Sequence, residues 1–100
     1  MYDWRYKKMV EKYIRTAVRI DANTAPKLDA ELKEILDSGN NHIVIDMEDT
    51  VYISSIGLRA FAAAQKRIRN SKGSMVIKNV KPKIMEIFEV TGFAGLFTIE

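Results

Sequence analysis

The sequence contains no cysteine, one histidine, two prolines and five glycines among its one hundred residues. Without cysteine, disulfides and thiolate-ligated metals are excluded. A single imidazole, His42, leaves a zinc site short of its usual ligands. No apolar run approaches the roughly 18 residues that a membrane span needs. Met1 to Lys8 lack the apolar centre of a secretory signal. These absences predict a cytoplasmic protein without membrane insertion. Glycine-rich phosphate loops and Gly-x-Ser-x-Gly elbows are missing as well, and no nucleophile stands beside a base. The expectation is a protein that is not an enzyme and needs no cofactor. Nor is there a strong charge of one sign. The net charge of +3 is too small to argue for nucleic acid.

What is present is ordinary for a folded domain, with 47% hydrophobic and 29% charged residues. There is no linker, repeat or low-complexity stretch, so residues 1–100 form one domain. Charge is unevenly placed. Residues 51–100 carry eight basic and three acidic side chains, against eight and ten in the first half. That excess is a solvated face or a surface for an acidic protein partner.

The hydrophobic period changes along the chain. In the first twelve residues two readings stay open. Tyr6, Met9, Val10, Tyr13 and Ile14 repeat at helical spacing with Asp3 as a cap, and an edge strand competes. Ile14, Thr16, Val18 and Ile20 then alternate as one face of a strand, with Arg15 and Arg19 opposite. Asp21 to Pro26 reads as a turn into a helix capped by Asn23 or Thr24, whose apolar stripe is Leu28, Leu32, Ile35 and Leu36. Gly39-Asn40 ends it. His42 to Met47 is a short, nearly continuous apolar run, suited to a central parallel strand, with His42 at its edge.

After Val51-Tyr52-Ile53 a second helix follows, with Leu58, Phe61, Ala62, Gln65 and Ile68 inward. Ser74 to Lys78 is another buried strand. Pro82 opens a third helix presenting Ile84, Ile87, Phe88 and Thr91 to one side, Gly92 closes it, and Phe97-Thr98-Ile99 adds a short strand. Phe61, Phe88, Phe93 and Phe97 are expected in the core. The alternation means an α/β domain with a mostly parallel sheet of about four to five strands and about three to four helices. Functional loops of such sheets leave the carboxyl ends of the strands. Asp21–Thr24 and Asp46–Gly57 are the two that qualify.

The second loop holds the most chemistry. Ser54-Ser55-Ile56-Gly57-Leu58 joins an extended stretch to a helix start, where one serine hydroxyl caps the helix. The same helix end accommodates a phosphorylated serine, which would present roughly −1.5 to −2 charges to a partner packed there. Asp46 either braces its loop or accepts phosphate itself. Asp21 either opens an Asx-type turn or touches a partner. Gly57 serves either packing at the helix start or the approach of a partner. Glu48 and Asp49 form a solvated acidic turn or a weak cation site.

Val44 to Arg59 resembles the central signature of STAS domains: a buried strand ending in Asp, a short loop, an aromatic–aliphatic pair, then Asp/Ser-Ser-x-Gly-Leu. Arg19 to Leu28 is similar to the Gly-Arg-Leu-Asp-x-x-Thr-Ala stretch before the family's first helix. Met75 to Val80 and Phe88 to Phe93 resemble its last strand and its Thr-Gly-Phe turn. These segments, in order over roughly residues 14–99, identify the chain as a member of the STAS family of the anti-sigma factor antagonist type.

The resemblance implies a STAS-like single domain and a binding module. Unphosphorylated, it sequesters an anti-sigma factor that is also a serine kinase. Phosphorylated on Ser55, with Ser54 as the alternative acceptor, it releases it, and a serine phosphatase reverses the modification. The partner surface so implied comprises Asp21, Asn23, Thr24, Ser54, Ser55, Ile56, Gly57, Leu58 and Arg59. Two departures stand out. Ser54 occupies a position that is often Asp. Val18 occupies one that is often Gly, which predicts a more regular strand end. Competing readings are a STAS subunit or scaffold that is not phosphorylated, such as a lipid-transport accessory, and a receiver-like domain phosphorylated on Asp46. Oligomeric state is not legible.

Overall fold

Alternation of short β-branched runs with amphipathic stretches fixes which segments pair and which cross over. A computed structural model describes residues 11–100. In chain order the elements are β1 (Lys12–Arg15), β2 (Arg19–Ile20), α1 (Ala25–Asp37), β3 (His42–Asp46), β4 (Tyr52–Ile53), α2 (Ser55–Asn70), β5 (Ser74–Lys78), α3 (Pro82–Val90), a 3-10 turn (Phe93–Gly95) and β6 (Thr98–Ile99). The first four residue positions of the helical reading near the N-terminus, Asp3, Tyr6, Met9 and Val10, lie outside the described residues. Tyr13 and Ile14, which share that spacing, belong to β1.

Among the described residues every strand pairing is parallel. A four-stranded sheet has the order β1-β3-β5-β6, and β2 pairs with β4 in a separate two-stranded ladder. β3 is central, and Ile43, Val44 and Ile45 are all buried, so both of its faces are covered. His42 sits at the start of β3 opposite Ser74, its Nδ1 2.9 Å from that hydroxyl.

The strand expected from Ile14 to Ile20 is divided in two. Ile14, Thr16 and Ile20 are buried, whereas Val18 is exposed and breaks the alternation. The chain leaves its pairing with β3 where the Thr16 amide donates to the Asp46 carbonyl at 3.0 Å, and resumes beside β4 where the Val51 amide donates to the Val18 carbonyl at 2.8 Å. A buried hydroxyl relay holds the crossing. Thr50, wholly buried, donates to the Ala17 carbonyl at 2.7 Å and accepts from Thr16, with 2.5 Å between the two oxygens. Valine in place of glycine therefore does not make this strand end more regular, because the change of partner is driven by the threonines.

Helix α1 buries Leu28 and Leu32, with Ile35 and Leu36 partly covered. It packs along α2, and the Asp37–Arg67 ion pair at 2.8 Å joins them. Against α1, α2 presents the small buried residues Ala60 and Ala64, which the single-stripe expectation missed, while Ala62 is only half-buried. A helix that touches both a sheet and a neighbouring helix needs two inner faces.

Gly39 and Gly92 follow α1 and α3 at φ +93° and +84°, the left-handed conformation in which glycine is unstrained. Thr91, expected on the inner side of α3, is exposed, and its hydroxyl instead donates to the Ile87 carbonyl at 2.7 Å. Phe97 meets Phe61 and Phe88 edge-on at 6.0 and 5.5 Å and stacks on the half-buried Phe93 at 5.5 Å. This aromatic cluster ties the C-terminal segment to α2 and α3.

Candidate functional site

Both loops singled out from the sequence hang from the β2–β4 ladder. Ile20 and Ile53 are register partners, and the Ser54 amide donates to the Ile20 carbonyl at 2.8 Å. The loop after β2 and the start of α2 are thereby neighbours.

In the first loop Asp21 forms an Asx-type turn. Its Oδ1 accepts from the Asn23 and Thr24 amides at 3.0 and 3.2 Å, and its carbonyl accepts from the Ala25 amide. These amides, Asn23 first, hold the Asp21 carboxyl below the usual carboxylate range. Thr24 is the N-cap of α1, and its carbonyl accepts from the Leu28 amide, but its side chain makes no capping bond. Its hydroxyl faces backwards, donating to the Arg19 carbonyl at 2.6 Å and accepting from the Asp21 amide at 2.9 Å. Asn23 is exposed.

In the second loop the two serines divide the work. Ser54 has extended backbone geometry and is the N-cap of α2, its Oγ accepting from the Gly57 amide at 3.3 Å. Ser55 is the first helical residue and is exposed. Its hydroxyl stands where the helix end carries unpaired amides and partial positive charge.

Ile56 and Arg59 are exposed, whereas Gly57 and Leu58 are buried, so within the implied partner surface these two shape the site from beneath. A Cβ at Gly57 would lie 2.6 Å from Ile20 Cγ2 and 2.9 Å from Ile53 Cγ1. Absence of a side chain there lets α2 begin directly on the β2–β4 ladder, which is a packing role.

Asp46, at the end of β3, braces a separate corner. Its Oδ1 accepts from the Glu48 amide at 2.9 Å and from Asn79 Nδ2 at 3.0 Å, and its Oδ2 lies 3.4 Å from Arg15 Nη1. The Asn79 amide, then the Glu48 amide, then the Arg15 charge keep its carboxyl below the usual range. Arg15 also reaches Glu48 at 2.7 Å and Asp49 at 2.9 Å, and lowers Asp49 in the same way. Lys81 donates to the Glu48 carbonyl.

The acidic turn is thus gathered by cations of this chain, and no group of acidic or histidine side chains suited to a metal occurs among the described residues. Sequence reasoning gave Arg15 no part in this corner. Its three carboxylates lie 31 to 34 positions away, a distance across which no local pattern speaks. Arg19 was likewise read only as an outward residue. Its guanidinium carbon lies 4.3 Å from the centroid of the Tyr52 ring.

A model of the STAS domain family matches residues 9–100. A Bordetella bronchiseptica relative named "Putative anti-sigma factor antagonist BtrV" is 35% identical over 80 residues, spanning 80% of this chain and 69% of its own length. The anti-sigma-B factor antagonist of Listeria monocytogenes is 30% identical over 87 residues, spanning 87% of this chain and 76% of its own. Among solved structures, the Bacillus cell fate determinant SpoIIAA in its phosphorylated form superposes with a TM-score of 0.71 at 16% identity, over 88% of this chain and 80% of that one.

Proposed function

The chain belongs to the STAS domain family, and from that membership we propose that it is an anti-sigma factor antagonist switched by phosphorylation of Ser55. Unphosphorylated, it holds an anti-sigma factor that is also a serine kinase. Phosphorylated, it lets that factor go, and a serine phosphatase restores the binding form. The place of action is the cytoplasm, where such a pathway operates.

One observation carries the choice of residue: Ser54 is already engaged as the cap of α2, whereas Ser55 beside it is exposed. The α2 N-terminus tolerates a dianion on Ser55 within the chain. A partner lying over the bare hydroxyl would have to bury that dianion without compensation, and burying an unpaired charge is strongly unfavourable. The complex is lost while the fold persists.

The test uses each anti-sigma-type serine kinase encoded in the source genome, with magnesium and ATP, and phosphate mapping by mass spectrometry. Phosphate is expected on Ser55. In pull-downs with the same kinases, Ser55→Ala is expected to retain the partner and Ser55→Asp to lose it. Equal retention by both would refute the charge mechanism. Partner binding without phosphate on either serine would identify a STAS subunit of the unmodified kind.

A further inference from the structure

We propose that the exposed ridge of the β2–β4 ladder, Tyr52 with Arg19 laid over its ring, is the docking anchor for the anti-sigma factor, which meets it with an apolar surface edged by carboxylates. This deepens the reading of Ser55 and rests on it for the identity of the occupant.

The ridge is built by register. Ile20 and Ile53 turn inward, so their neighbours Arg19 and Tyr52, paired on the adjacent rung, turn outward. The amide of Val51 bonds the carbonyl of Val18, so these two valines sit on the preceding rung, on the Ile20–Ile53 side of the alternation. They are 52% and 55% exposed, with Tyr52 at 39% and Ile56 at 41%. Ile56 directly follows Ser55, the exposed serine at the start of α2. Among the described residues the other large exposed apolar side chains, Tyr13 and Val90, lie on β1 and at the end of α3. Single exposed apolar side chains need no explanation, but several on two paired segments that lead to Ser55 do.

Arg19 is held in place before any partner arrives. Its guanidinium covers the Tyr52 ring, and its Nε lies 3.8 Å from the Asp21 carboxylate. Among the described residues no carboxylate bonds its terminal nitrogens, which leaves a planar fork that matches an incoming carboxylate. Arginine and tyrosine are also the residue types that most often dominate interface energies.

Charge on the adjoining helix favours an acidic occupant. Helix α2 carries Arg59, Lys66, Arg67 and Arg69 and no acidic residue, and Arg67 pairs with Asp37. A second copy of this chain meeting the ridge symmetrically would set Arg19 and Arg59 near their own counterparts, whereas an acidic partner is attracted to them.

The experiment measures steady-state phosphate transfer to Ser55 by the kinase that labels it, with this protein as the varied substrate. Tyr52→Ser and Arg19→Gln are expected to raise KM about tenfold with kcat within about twofold, the pattern of lost docking. Val90→Ser, on another part of the surface, is expected to change neither. Unaltered circular dichroism and melting of the three variants confirm folding.

Unchanged KM in both ridge variants, or an equal rise in Val90→Ser, would overturn the proposal. So would a wild-type dimer in sedimentation that Tyr52→Ser abolishes, since the occupant would then be a second copy. If no kinase labels Ser55, the phosphorylation reading fails on its own. Titration calorimetry of the same anti-sigma factors against wild type and Tyr52→Ser then decides the ridge: tenfold weaker binding by the variant supports it, and equal affinity or no binding to wild type refutes it.

Discussion

At the scale of the residue, the site depends as much on what is missing as on what is present. Position 57 has no room for a side chain, and Ile20 and Ile53 cannot retreat because both are buried in the core. Gly57→Ala is expected to destabilise the protein by about 1–3 kcal/mol, the usual penalty of overpacking, seen as a lower midpoint in urea unfolding; a midpoint equal to wild type would show that the ladder yields. The division of labour between the two serines was half legible. Sequence pattern placed a cap and an exposed hydroxyl within Ser54-Ser55, and the geometry assigned the cap to Ser54. The burial of Leu58 beneath the site follows from the inward stripe it shares with Phe61 and Ile68, so helical spacing already placed it there.

At the scale of the element, Arg15 clamps the loop that connects β3 to β4. Asp46 and Asp49 both have carboxyl groups held below the usual aspartate range in the folded state. A depressed folded value means that their contribution is fully present above about pH 4, where the unfolded groups are also ionised, and is lost as pH falls through the folded values. Stability is therefore expected to be flat in these groups from pH 5 to 8 and to decline below pH 4. Arg15→Gln removes the first cause of the Asp49 shift, so it is expected to lower stability above pH 4 and to flatten the decline below it. Asp46 keeps the Asn79 and Glu48 donors and continues to titrate low. Denaturant midpoints measured from pH 2.5 to 7 check this; parallel curves for wild type and variant would show that the clamp contributes nothing.

Elements themselves were largely legible, because β3, β5, α1 and α2 each carry a continuous period bounded by glycine or proline. The division of β1 from β2 was not. Thr16 fits the alternation of a strand, and only its distant partner Thr50 reveals that the chain turns there.

At the scale of the whole molecule, a modification at Ser55 adds charge on the exposed side of the α2 start, above core residues that it does not displace. The net charge of +3 would fall to roughly +1, and the aromatic cluster around Phe97 would be untouched. Phosphorylated protein is expected to melt within about 4 °C of the unmodified form, a difference of up to roughly 1 kcal/mol. Amide shifts in NMR are expected to concentrate in residues 18–24 and 51–60. Shifts spread through β5 and α3 would instead reveal a global change of shape. The parallel α/β architecture was readable from the alternation of periods, yet the separate two-stranded ladder was not, since two residues per strand leave no statistical mark.

That ladder has a consequence for descent. The two stretches proposed to carry recognition are suspended from a small frame beside the principal sheet, and the hydrophobic interior constrains few of their outward positions. Duplicate genes can thus acquire new allegiances by editing a handful of codons around positions 18–24 and 51–59, while the inherited scaffold continues to fold as before.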